Sequence, residues 1–149
     1  MDRRTLLLTA LGLPLAVQPA FAAPPRIDFY KTPTCGCCAA WADRMTAAGF
    51  DVRAEDMDQD ALWDLKARAG IPPEMSSCHT GFIDGYVVEG HVPAEDIRRL
   101  IAERPAGIGL AVPGMPMGSP GMEMGTRRDA FDTLLVLPGG RARIFQNHA

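Results

Sequence analysis

Arg26-Ile27-Asp28-Phe29-Tyr30-Lys31-Thr32-Pro33-Thr34-Cys35-Gly36-Cys37-Cys38-Ala39-Ala40-Trp41 is the stretch that decides how this chain folds. Ile27 and Phe29 alternate with polar neighbours, which is the period-two pattern of a half-buried strand. Thr32-Pro33-Thr34 then interrupts the strand, and Thr34 stands where it can cap a helix. Within that helix Cys38, Trp41, Met45 and Ala48 recur at three- and four-residue steps. Gly49 supplies the stop, and Phe50 folds back behind it. Three of the four cysteines therefore fall at a strand-to-helix turn, where the helix dipole stabilises a thiolate.

Working outward from this turn, residues 51–55 read as a short second strand with Val52 inward. Asp58 or Asp60 opens a helix that places Leu62, Leu65 and Ala69 on one face and ends at Gly70. Ile71-Pro72-Pro73 is expected to be extended, and residues 78–88 hold two strand-like runs joined by the hairpin signal Asp84-Gly85. Pro93 starts a helix that presents Ile97, Leu100 and Ile101 together and stops near Pro105. Residues 107–125 are rich in Gly, Pro and Met and read as an irregular loop. Residues 133–137 and 141–145 flank Pro138-Gly139-Gly140 as a terminal hairpin. The order strand-helix-strand-helix-hairpin-helix predicts an α/β fold: a thioredoxin-like sheet with flanking helices, extended by a carboxy-terminal Met/Gly/Pro-rich loop and a β-hairpin. Trp41 and Trp63 read as core, and the acidic residues read as solvated faces.

The amino terminus has a different character. Met1-Asp2-Arg3-Arg4, the apolar run from Thr5 to Val17 and Ala20-Phe21-Ala22 follow the order of a secretory signal peptide, with cleavage expected after Ala22. Arg3-Arg4 leaves the Sec and twin-arginine routes both open. A membrane anchor would follow only if the leader stayed uncleaved. Residues 23–149 then form a single domain, long enough to bury a core. The whole chain carries a formal net charge of −3 and has no basic stripe, so nucleic acid is not an expected partner.

Two chemistries overlap in the cluster. Cys35 and Cys38 have the two-residue spacing of a thiol-exchange pair, whereas Cys35 and Cys37 form a tighter clip suited to a soft metal. In an oxidising compartment four cysteines commonly form two bridges, but the adjacency of Cys37 and Cys38 argues against a bridge inside the cluster. A redox pair alone leaves Cys37 and Cys78 unexplained. Cys78 enters the hairpin, which in a thioredoxin-like layout runs beside the amino terminus of the first helix, so it is the natural fourth donor for Cu(I) or Zn(II). His79 follows it as a ligand or a support. His91 reads as a local hydrogen-bonding residue and His148 as solvated. Met115, Met117, Met122 and Met124 make up half of the eight methionines. Thioethers suit Cu(I) better than zinc, yet methionine also fills irregular gaps, and both roles stay open.

Four segments in order carry a resemblance. They are Tyr30-Lys31-Thr32-Pro33-Thr34-Cys35-Gly36-Cys37-Cys38, Ser77-Cys78-His79-Thr80, Glu89-Gly90-His91-Val92-Pro93-Ala94 and Gly109-Leu110-Ala111-Val112-Pro113-Gly114-Met115-Pro116. Together they resemble the CopG-like family of exported, thioredoxin-like, metal-binding proteins, over nearly all of residues 23–149. The resemblance implies a periplasmic role in copper resistance, with copper, as Cu(I) rather than zinc, held in a thiolate cluster. It implies Cys35, Cys37, Cys38 and Cys78 as ligands, with His79, Met115 and Met122 as further candidates. The expected function is sequestration of copper ions, with other periplasmic copper-handling proteins as partners. The alternative is a thiol-disulfide oxidoreductase, coupled or not to copper redox, using Cys35 and Cys38.

Overall fold

The computed structural model describes residues 23–149; the leader read at residues 1–22 lies outside the described residues. The chain folds as β1 (Arg26–Lys31), α1 (Gly36–Ala47), β2 (Asp51–Asp56), α2 (Gln59–Arg68), a 3-10 turn (Pro73–Met75), β3 (Thr80–Ile83), β4 (Tyr86–Glu89), α3 (Ala94–Glu103), β5 (Gly109–Ala111), β6 (Phe131–Leu137) and β7 (Arg141–His148). Among the described residues the strands form one mixed sheet of order β2-β1-β3-β4-β5-β6-β7. The β1/β2 and β4/β5 pairs are parallel and the remaining pairs antiparallel. This is the expected thioredoxin-like α/β arrangement with a carboxy-terminal extension. No helix among the described residues is long and apolar enough to cross a membrane.

The period-two pattern sorts the sheet into two faces. Ile27, Phe29, Val88, Leu110 and Leu135 turn to one face, where they meet Cys38, Trp41 and Met45 of α1 and Ile97 and Leu100 of α3. Ile27, Phe29, Trp41, Ile97 and Leu100 are each 0% exposed. Each such burial contributes about 1.5–3 kcal/mol, so tertiary burial rather than helix propensity holds α1 and α3 in place. Val87, Ala111 and Val136 turn to the other face with Ile71 and Met75. The stop of α1 is the expected one: Gly49 N–H donates to Thr46 O and Phe50 N–H to Met45 O, and Phe50 joins the core. Asp58 caps α2 by accepting from Ala61 N–H at 2.8 Å.

Several expectations need correction. The cap of α1 is Cys35 rather than Thr34, with no side-chain cap bond. The extended segment ends at Pro72, because Pro73 opens the 3-10 turn, where a missing N–H costs nothing. The loop read at residues 107–125 gives its first part to the sheet as β5. Gly109 looks like a breaker in the sequence, but a Cβ there would sit 1.9 Å from Val87 O, so its bare backbone is what lets β5 dock on β4. Trp63 is 48% exposed, one position off the Leu62 face of α2. The acidic residues are not all solvated, since Glu89 and Asp96 are buried. Nor is His148 solvated: its Nε2 lies 2.8 Å from Asp96 Oδ2 and its ring stacks on Phe131.

Glu89 is the acceptor of a buried network. Its Oε1 takes Lys66 Nζ from α2 at 2.6 Å and Ser77 N–H at 2.6 Å, and its Oε2 takes Thr80 Oγ1 at 2.7 Å. Lys66 and Glu89 are 1% and 0% exposed, so removing one partner leaves an uncompensated buried charge. Lys66→Met is expected to cost about 3–5 kcal/mol in urea unfolding. Arg53→Ala, which breaks the solvent-facing pair with Asp51, is expected to leave the urea midpoint close to wild type. Equal losses in the two variants would contradict this account of the buried pair.

Candidate metal centre

Two backbone registers build the site. Tyr30 pairs with Thr80 across β1/β3, and Thr80 pairs with Glu89 across β3/β4. β3 runs opposite to β1, so the residues just before Thr80 lie at the sheet end where β1 hands over to α1. The residues just after Glu89 arrive at the same end. Cys35-Gly36-Cys37-Cys38, Cys78-His79 and His91 are thereby gathered at one edge by strand pairing alone.

One ligand atom from each of Cys35, Cys37, Cys38 and Cys78 falls within 4.8 Å of the others. Cys35 and Cys38 are joined as a disulfide with a Cα–Cα distance of 5.3 Å, which corrects the expectation that the cluster would not bridge. Cys37 precedes Cys38 in the helix yet stays outside the bond. Cys37 and Cys78 are free. Cys37 Sγ lies 3.6 Å from Cys35 Sγ and 3.7 Å from Cys78 Sγ, although Cys78 is 41 positions away in sequence. Burial and the neighbouring Cys37 push the Cys78 thiol up to about 12.

The two histidines extend the cluster. A second set within the same 4.8 Å limit comprises Cys78, His79 and His91. His91 Nε2 lies 3.0 Å from Cys78 Sγ, and His79 Nδ1 lies 3.6 Å from it. His91 is not the local hydrogen-bonding residue expected, since its Nδ1 meets Pro120 O at 2.9 Å from 29 positions away. Its place two residues after the β4 strand, beside a paired Cys-His, was the signal that had been available in the sequence. His79 is wholly buried between Trp41, at a ring distance of 4.5 Å, and Phe29, at 5.4 Å. Its Nε2 has no hydrogen-bond partner among the described residues. A buried polar nitrogen without a partner is costly, and a bound cation is one way to satisfy it.

The methionines lie on the loop that crosses this edge. Ser77 Oγ donates to Gly114 O, and Gly114 N–H donates to Ser76 O at 3.2 Å, which brings the chain just before Met115 alongside the Cys78 segment. Gly121, just before Met122, rests against the backbone of Cys37 and Trp41. Met115 and Met124 are 52% and 66% exposed, whereas Met117 and Met122 are partly buried. In this way the backbone next to Met115 and Met122 runs along the cysteine edge. Soft thiolates, imidazoles and thioethers together suit a soft ion such as Cu(I) and not a hard cation.

Burial lowers both histidines, His79 well below its ordinary value with His91 and Lys66 adding to the effect; for His91 the Pro120 carbonyl and Glu123 oppose it. Both imidazoles are therefore neutral near pH 7, the form that donates a lone pair. In the unfolded chain they take up protons as pH falls through about 6.5. The stabilising contribution is thus complete above that value and is lost on acidification. Urea midpoints of the metal-free protein are expected to hold steady from about pH 8 to 7 and to fall below about 6.5, less steeply for His79→Phe. A midpoint unchanged down to about pH 5.5 would contradict neutral burial.

A family profile described as "Protein of unknown function, DUF411" matches residues 75–122, the segment that carries Cys78, His79, His91 and most of the Met-rich loop. No curated protein sequence matches the chain. Two solved structures are similar to it. One, "Copper resistance protein copG- Form 2", is 45% identical with a TM-score of 0.78, covering 85% of this chain and 99% of the other. The second, "Copper resistance protein copG- Form 1", is 46% identical with a TM-score of 0.77, covering 84% and 98%. Identity at this level over nearly the whole of both solved chains, on the expected fold and with the four cysteines brought together, places this chain in the family of the copper resistance protein CopG.

Proposed function

We propose that this protein is exported to the periplasm and sequesters Cu(I), thereby contributing to copper resistance. In the reduced protein Cys35, Cys37, Cys38 and Cys78 act as thiolate ligands. His79 and His91 add imidazole nitrogens, and Met115 and Met122 lend thioethers at the rim. The observation that carries the reading is the convergence of Cys78 Sγ on Cys37 Sγ at 3.7 Å from 41 positions away, beside two buried imidazoles. A bare thioredoxin-type exchange pair needs neither the extra thiols nor the histidines.

Copper is cargo here, and its capture depends on the thiol state. The Cys35–Cys38 bridge leaves two free thiols. Two electrons and two protons from a dithiol reductant open the bridge and make four thiols, and each thiol that binds metal releases its proton. Anaerobic titration with Cu(I) against a chromogenic competitor is expected to saturate the reduced protein at micromolar metal. Cys78→Ser is expected to lower affinity by more than the roughly 10–100-fold that loss of an outer-shell partner costs. Reduced protein that takes up no Cu(I) at micromolar metal would sink this reading.

The Cys35–Cys38 bridge also favours a second reading, that of an oxidoreductase. The reduced pair would pass one electron to each of two Cu(II) ions, giving two Cu(I), the disulfide and two protons. This reading requires turnover. Steady-state disulfide or Cu(II) reduction that is lost in Cys35→Ser and kept in Cys78→Ser would favour it over storage, whereas a single stoichiometric cycle would rule it out.

A further inference from the structure

The loop over the site is more than a cover. Pro120 O lies 2.9 Å from His91 Nδ1. A carbonyl oxygen can only accept, so Nδ1 carries the proton, and in the neutral ring the lone pair then lies on Nε2. That is the nitrogen aimed at Cys78 Sγ, 3.0 Å away. The opposite tautomer would turn a proton toward the cysteine edge and withdraw the donor.

Three contacts hold that carbonyl in place. Gly121 has a φ of +87°, and a Cβ there would meet Trp41 N at 2.7 Å and Cys37 O at 2.8 Å. Both are backbone atoms of α1, which cannot yield as a flexible side chain would, so only glycine lets the loop rest on the helix that carries Cys37 and Cys38. Glu123 Oε2 accepts Gly121 N–H at 2.7 Å, and its Oε1 lies 3.2 Å from Arg44 Nε on α1. Ser119, wholly buried, donates its hydroxyl to Pro116 O at 2.7 Å and closes the turn before Pro120.

We propose that residues 119–123 form a positioning strap for the metal site: the Pro120 carbonyl selects the His91 tautomer that offers Nε2, and Gly121 and Glu123 fix the strap on α1 closely enough to do so. The proposal rests on the reading of His91 as a copper ligand. It assigns a role to residues that are not themselves ligands, and it explains why a Gly-rich segment is held against a helix at the cysteine edge.

Cu(I) affinity of the reduced full-length chain, measured by competition with a chromogenic Cu(I) chelator, tests it. Gly121→Ala is expected to weaken binding about 10–100-fold, the usual cost of losing an outer-shell partner of a ligand histidine. Glu123→Ala, a surface change that leaves folding intact, is expected to cost about threefold to tenfold. Gly125→Ala serves as the control: it shares the positive φ, at +63°, but faces open space, and is expected to bind as wild type. In a His91→Ala background the losses from Gly121→Ala and Glu123→Ala should disappear, because they act through that ring. Long-range proton–nitrogen NMR should find His91 protonated at Nδ1 in the metal-free wild type and shifted toward Nε2 in Gly121→Ala and Glu123→Ala.

Weak binding by His91→Ala with unimpaired strap variants, or an equal loss from those variants in both backgrounds, overturns the strap and leaves the ligand reading standing. Wild-type affinity in His91→Ala overturns both.

Discussion

The register that sets Tyr30 opposite Thr80 is the constraint on which the rest of the molecule depends. Strand pairing has a strict two-residue period, so a slip by one residue would turn Ile27 and Phe29 out of the core and carry Cys78 to the wrong side of the sheet. With the register in place, three chain segments meet at one edge without any need for local sequence proximity. The buried Glu89 network reinforces it, binding Ser77 N–H just before Cys78 and Thr80 Oγ1 just after His79. The same carboxylate stands two residues before His91. A single acceptor thus ties together the backbone on either side of the Cys78-His79 pair and the strand that delivers the second imidazole.

The chemistry of the edge follows from how those segments are buried. Cys35 caps α1, and Cys37 and Cys38 lie in its first turn. Burial raises Cys78 and holds its proton. A desolvated thiol of this kind gives up its proton readily only when a cation replaces it. Two neutral imidazoles add donors without adding charge. The Cys35–Cys38 bridge places a redox condition on this assembly, since half of the sulfur donors are committed to each other until they are reduced.

Much of this was legible in the sequence. The alternation through Ile27 and Phe29, the Cys38-Trp41-Met45 spacing, the Asp84-Gly85 turn and the Pro93 helix start all carry their structural meaning locally, so the thioredoxin-like order could be read without tertiary information. Cys78 was legible through fold logic, because the hairpin entrance lies beside the first helix in that layout. What escaped depended on contacts made at a distance. Gly109 reads as a breaker until β4 is there to require its bare backbone. Glu89 reads as one more solvated acidic residue, and only its meeting with Lys66 of α2 makes its burial possible. The sulfur neighbour of His91 was legible only through the topology, since Cys78 lies ahead of β3, 13 positions earlier in the chain. The bridge was misjudged because adjacency of Cys37 and Cys38 in sequence says little about where side chains point at a helix start.

X-ray absorption at the copper edge tests the central claim most directly, on reduced protein loaded anaerobically with Cu(I), beside Cys78→Ser loaded in the same way. The wild type is expected to give a sulfur-dominated first shell with an imidazole contribution, and the variant a clear loss of sulfur scattering. A first shell of nitrogen and oxygen alone, or identical spectra for the two proteins, would contradict the claim that Cys78 joins the cluster at the head of α1 in holding copper.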